Sequence, residues 1–185
     1  MIAQAEFEDA LSQYTNARYV VLTDSCTNAI ELVCRYLKVK EASIPRYTWR
    51  GVPRAIRRAG AQVYIEDREW VGAYQLRPTP IWDSARRFYA GMYKAGTFTC
   101  VSFHFKKILG HTRGGAILCD QFDDWAEMRE MTRDGAGLGM HCWMPSDVAA
   151  ALHVRLASLP RHNADQTVPP DHYPDLMPTD WNALT

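Results

Sequence analysis

An α/β fold, three layers with a mostly parallel sheet between helices, is predicted by three observations. Along residues 3–159, apolar positions at helical spacing alternate with short apolar runs of strand length. Runs ending at Thr23 and Asp83 lead into small polar residues, as strands do at the open carboxyl edge of such a sheet. With 185 residues, 47% apolar and 23% charged, the chain can bury the core of one domain.

Each element has its own justification. Residues 3–14 carry Phe7, Ala10, Leu11 and Tyr14 on one helical face, and Arg18 to Thr23 follows as a strand. Asp24-Ser-Cys-Thr-Asn28 supplies capping side chains to a helix with Ala29, Ile30, Leu32, Val33, Tyr36 and Leu37. Ala42 to Pro45 is a short strand, followed by a basic helix with Val52, Ala55, Ile56 and Ala59 on one face that Gly60 stops. Gln62 to Glu66 is the next strand, and residues 67–79, polar and turn-rich, read as a connection rather than an element. Pro80 to Asp83, Phe98 to Phe103 and Ala116 to Cys119 are further strands. Gln121 to Thr132 is a helix with Phe122, Trp125 and Met128 inward, broken at Gly135 to Gly139, and Pro145 to Leu159 is an amphipathic helix. Residues 1–160 are therefore expected to form a compact domain, with 161–185 an extended, proline-rich tail.

A formal net charge of zero gives no general electrostatic argument for nucleic acid or a membrane surface. Five cysteines, at 26, 34, 100, 119 and 142, form neither a Cys-x-x-Cys pair nor a cluster with histidine, so reduced thiols and no metal are expected. The first residues lack a basic leader and no run reaches membrane-spanning length, which reads as soluble and cytoplasmic.

Chemistry concentrates in residues 98–119, where two apolar strands flank a tight segment with Lys106, Lys107, His111 and Gly114-Gly115. A lysine held between buried strands loses hydration, which lowers its pKa and frees the nucleophilic amine that a Schiff base requires. The alternative for such a pair is a solvated loop. Similarly, the Asp24 to Thr27 segment opens a helix whose free amides and dipole suit an anion, the alternative being an ordinary capped helix. Asp83, at a strand's carboxyl end, should face the same space.

Read together, these segments resemble the DegT-type (DegT/DnrJ/StrS) sugar aminotransferases, fold-type I enzymes that use pyridoxal 5′-phosphate (PLP). Five motifs occur in the family's order: Asp24-Ser-Cys-Thr-Asn-Ala-Ile30, Ile44-Pro-Arg-Tyr-Thr-Trp49, Gly60-Ala61 with Val63 to Glu66, Ile81-Trp-Asp-Ser-Ala-Arg86, and Ser102-Phe-His-Phe-Lys-Lys107. The resemblance implies a truncated PLP-transferase large domain, similar to that of aspartate aminotransferase, without the C-terminal small domain. It selects Lys107 as the Schiff-base lysine and Asp83 as partner of the protonated pyridine nitrogen. Trp49 would stack on the ring, although it could equally be a core tryptophan. Ser25, Cys26, Thr27 and Ser102 would hold the phosphate, and Arg86 stands where the family usually has Gln or His. Arg113 replaces the acid of the family's glycine turn, which points to an anionic group nearby or to a solvated arginine; with His104 it is assigned to substrate.

The expected activity is transamination of an amino compound. PLP-dependent decarboxylation, conceivably of a nucleotide-linked amine in a compact, phage-like enzyme, is the alternative chemistry. A non-catalytic homologue serving as a binding subunit is the alternative outside catalysis. A shortened sheet should leave apolar surface exposed, so a homodimer or larger assembly is expected.

Overall fold

The computed structural model describes residues 2–134, 140–167 and 172–183, so the predicted break at Gly135 to Gly139 lies outside the described residues. Among the described residues twelve elements follow one another: α1 (Ile2–Thr15), β1 (Tyr19–Thr23), α2 (Cys26–Tyr36), β2 (Glu41–Pro45), α3 (Gly51–Arg58), β3 (Gln62–Glu66), β4 (Tyr74–Gln75), β5 (Ile81–Asp83), β6 (Phe98–Ser102), β7 (Gly115–Cys119), α4 (Phe122–Asp134) and α5 (Ser146–Ala157). Ser25 opens α2 as anticipated, its Oγ accepting from the Asn28 amide at 3.2 Å.

The strands are ordered β1-β7-β6-β5-β4 in one sheet and β2-β3 in a second. An antiparallel bridge between Ser43 and Arg77 joins them, with the Ser43 amide donating to the Arg77 carbonyl at 2.7 Å. Across this junction β1, β2, β3, β5 and β6 run one way, while β4 and β7 run against their neighbours. Most strands thus share one direction, as expected, but the pairing is mixed: among the described residues β5–β6 and β2–β3 form the parallel ladders. The cause is short connections. β4 and β5 are separated by residues 76–80 and β6 and β7 by a helix-free turn, and neither link provides the crossover a parallel pair needs. The segment 67–79, read as a connection, also contributes a strand, β4. Its two residues carry no apolar alternation of their own; pairing with β5 makes the strand.

Helices cover the sheet from both sides, giving three layers. Facing α2, α3 and α4, Val21, Cys100 and Ile117 pack with Ile30, Val33, Ile56 and Met128; facing α1 and α5, Val20, Leu22, Val101 and Leu118 pack with Phe7, Leu11, Leu152 and Leu156. Alternation of adjacent residues between two cores is what a doubly covered strand requires. Phe7 and Leu11 are completely buried, and each such side chain contributes about 1.5–3 kcal/mol.

After α5 the described residues 158–167 and 172–183 form no further helix or strand, yet they pack back on the domain. Trp181 and Leu176 are buried, and Arg46 binds Asp175 through two hydrogen bonds of 2.9 and 2.7 Å. The Asn182 side chain accepts from the Val63 amide at 2.9 Å and donates to the Val63 carbonyl at 3.0 Å, which satisfies the outer edge of β3.

Candidate cofactor-binding cleft

The carboxyl ends of β1, β2, β5 and β6 open on a single cavity of about 970 Å³. Its walls contain all ten residues singled out in the sequence: Ser25, Cys26 and Thr27 at the start of α2, Trp49 after β2, Asp83 and Arg86 at the end of β5, and Ser102, His104, Lys107 and Arg113 around the β6–β7 turn.

Local structure explains how they converge. Residues 104–110 form a tight turn, closed by the Lys107 amide donating to the His104 carbonyl at 2.8 Å. A side chain at Gly110 would come within 2.6 Å of the Phe105 carbonyl oxygen, so only glycine permits this wrap and the orientation of Lys107 that follows. At the base of the cleft β7 passes against the α2 start, where a Cβ on Gly115 would stand 2.5 Å from the Ser25 carbonyl carbon. The first turn of α2 thus lies flush with the sheet edge, and its Cys26 and Thr27 amides have no intrahelical acceptors. Beside Ser102 Oγ they form a donor set suited to a phosphate.

Asp83 is 3% exposed and fully engaged. One carboxylate oxygen accepts from the Ala85 amide at 2.9 Å and lies 3.9 Å from Cys26 Sγ; the other accepts from the Tyr74 hydroxyl at 2.8 Å. Burial pushes its pKa up, against the opposing pull of the Ala85 amide, the Tyr74 hydroxyl, Lys107 and Arg86. Burial, followed by Arg86, pushes the Lys107 pKa down, while Asp83 pulls it up. Desolvation thus opposes charge on both groups, which line the same cleft.

Arg86, standing where the family usually has Gln or His, is buried and turned toward the C-terminal segment. Its Nε donates to the Tyr173 hydroxyl at 3.1 Å and its Nη1 to the Thr167 carbonyl at 3.0 Å, so it ties the C-terminal segment across the cleft. Arg87 reinforces this tie through Asp165 at 2.6 Å. Trp49 is 53% exposed, which removes the alternative of a core tryptophan.

Sequence reasoning missed Tyr74 and Thr48, whose oxygens lie 2.8 Å apart behind Asp83, and the C-terminal wall of Gln166, Thr167, His172 and Tyr173. Thr48 lies inside the Ile44–Trp49 motif, which by itself assigns it no role, and nothing in a turn-rich connection or an aperiodic tail marks the others. Among the described residues no group of His, Cys, Asp or Glu could hold a metal ion, and no helix is long and apolar enough to cross a membrane.

Fold and site together define the chain as an α/β unit with one cleft at the carboxyl ends of its strands, and comparison with known proteins shows what it is similar to. Residues 3–78 match the model of the DegT/DnrJ/EryC1/StrS aminotransferase family. Solved structures that share the fold include DesI in the presence of its TDP-sugar product (18% identity over 85% of this chain and 53% of that one, TM-score 0.67). A DegT DnrJ EryC1 StrS aminotransferase from Brucella abortus matches at 16% identity, 84% and 58% coverage and TM-score 0.68. Spr1654 from Streptococcus pneumoniae, in its PLP-form, matches at 17% identity, 84% and 59% coverage and TM-score 0.67. No curated protein matches the sequence. The family model bears out the resemblance over residues 3–78, which hold the first three motifs; the solved structures share the fold, and the chain spans a little over half their length.

Proposed function

We propose that the chain is a DegT-type aminotransferase that holds PLP through Lys107 and acts on a small amino compound, with a nucleotide-linked sugar the favoured class. The observation that carries this reading is the meeting of Lys107, Asp83, Trp49 and the Ser25–Thr27 donors with Ser102 in one cleft. The relatives support it as well: one is a PLP-form and another was solved with a TDP-sugar product. The comparisons lend nothing to decarboxylation.

The residues present fit the cofactor. The α2 amides, the Thr27 hydroxyl and Ser102 would hold its phosphate, and Asp83 would face the ring nitrogen from a desolvated position where the pairing is strong. Trp49, at the cleft mouth, would cover one ring face. When bound, PLP supplies an electron sink for the substrate's α-carbon. Lys107 Nζ would hold it covalently and, once displaced, carry protons at that carbon, a task that its depressed pKa suits. Arg113 and His104 would meet anionic substrate groups at the rim. The chain is proposed to form a homodimer, for which light scattering at micromolar concentration should give twice the monomer mass.

Titration with PLP tests the reading. A saturable absorbance change that Lys107→Ala abolishes is expected; a spectrum identical to free PLP, or one unaffected by Lys107→Ala, would overturn it.

A further inference from the structure

We propose that Tyr74 is a positioning residue of this site: its phenol holds the Asp83 carboxylate in place and in its charged form, and Thr48 in turn orients the phenol. The inference rests on the reading of Asp83 as partner of the cofactor ring.

The β4–β5 register sets Tyr74 directly opposite Asp83, so the two side chains share one face of the sheet. Tyr74 is 2% exposed and Thr48 1% exposed, and the three oxygens form a chain with both links at 2.8 Å. The direction of the chain follows from proton count. An ionised Asp83 only accepts, so the single Tyr74 proton goes to it, and the Thr48 hydroxyl must donate to the phenol oxygen. Each donation polarises the next, which favours the carboxylate over the carboxyl form. The ring of Tyr74 cannot easily swing away. Trp70 packs edge-on at 4.8 Å and the Arg68 guanidinium lies 5.9 Å from its centroid. Thr48 also neighbours Trp49 in the chain, so the same relay fixes the loop that carries the ring-stacking side chain.

Burial pushes the Asp83 pKa up, and the groups facing it come from several elements: Tyr74 from β4, Cys26 from α2, Cys100 from β6, Arg86 after β5, Lys107 from the β6–β7 turn and Tyr173 from the C-terminal segment. The two cysteines are kept as neutral thiols by burial, while Arg86 and Lys107 favour the carboxylate by charge. Tyr74 is the one side chain with a direct hydroxyl donor on that carboxylate among the described residues.

The test compares the wild type with Tyr74→Phe and Thr48→Val in the full chain. In cofactor-free protein, the Asp83 carboxyl carbon is titrated by NMR; separately, PLP affinity is measured by absorbance across pH, with thermal melting as the check on folding. Tyr74→Phe should move the Asp83 titration to higher pH and weaken PLP roughly tenfold, with the loss growing as pH falls. Thr48→Val should shift both readouts in the same direction by less. A folded Tyr74→Phe with a wild-type Asp83 titration and a wild-type affinity profile overturns the proposal. If Tyr74→Phe does not fold, an unshifted Thr48→Val overturns it. Wild type that fails to bind PLP would defeat the cofactor reading, and the Asp83 titration would still decide the role of Tyr74.

Discussion

Replacing Asp83 by asparagine separates what the carboxylate does for the cleft from what it costs the fold. The amide has the same shape, and the hydrogen bonds can be kept: its oxygen can accept from the Ala85 amide while its nitrogen donates to Tyr74, which then donates to Thr48. What is lost is charge. A carboxylate 4 Å from a cationic ring nitrogen, at an effective dielectric near 20, is worth about 4 kcal/mol. Since an amide dipole retains part of that, PLP affinity should fall by roughly two to three decades. Stability should move the other way. Burial raises the folded-state pKa of Asp83 above its ordinary 3.8, so the folded state binds the proton more tightly than the unfolded chain. Stability of the cofactor-free protein is then lost as pH rises from about 3.8 through the folded pKa, and Asp83→Asn removes that loss. Melting of the cofactor-free proteins at pH 7 should place the variant at or above the wild type, with the gap narrowing at lower pH. A variant that binds PLP within threefold of wild type, or that melts several degrees lower at pH 7, would refute the reasoning.

Three further outcomes are expected. Gly115→Ala forces a methyl against the Ser25–Cys26 backbone and should destabilise the fold by about 1–3 kcal/mol, readable as a lower denaturation midpoint, and weaken PLP binding by tilting the α2 start. Trp181→Ala empties a buried site under the C-terminal segment and removes the indole donation to the Leu176 carbonyl at 2.9 Å, for a loss of about 3–5 kcal/mol in chemical denaturation. Because burial and Arg86 depress its pKa, Lys107 should keep a neutral amine at lower pH than ordinary lysines, so an amine-reactive label at pH 7 to 8 should modify Lys107 ahead of solvated lysines in cofactor-free protein.

The helices and the central strands were legible because each carries a burial pattern written locally: Phe7 and Leu11 at helical spacing, Val20 to Leu22 as an apolar run, Ser25 as a cap. The reversed direction of β4 and β7 was not, since it depends on whether a connection leaves room for a crossover, and the links from β4 to β5 and from β6 to β7 do not. Much of the candidate site could be read because Lys107, Asp83 and the α2 start sit at strand and helix ends, where order in the sequence maps onto position around a cleft. Tyr74 and the C-terminal wall could not. Their contacts with Asp83 and Arg86 join segments far apart in the chain or within a short turn, and no periodicity announces such pairs.

The central claim is that one lysine in this cleft holds PLP, and borohydride reduction of the PLP-treated protein followed by peptide mass mapping tests it most directly. A single reduced adduct on Lys107 is expected. An adduct on Lys106, or none on either lysine, would contradict it.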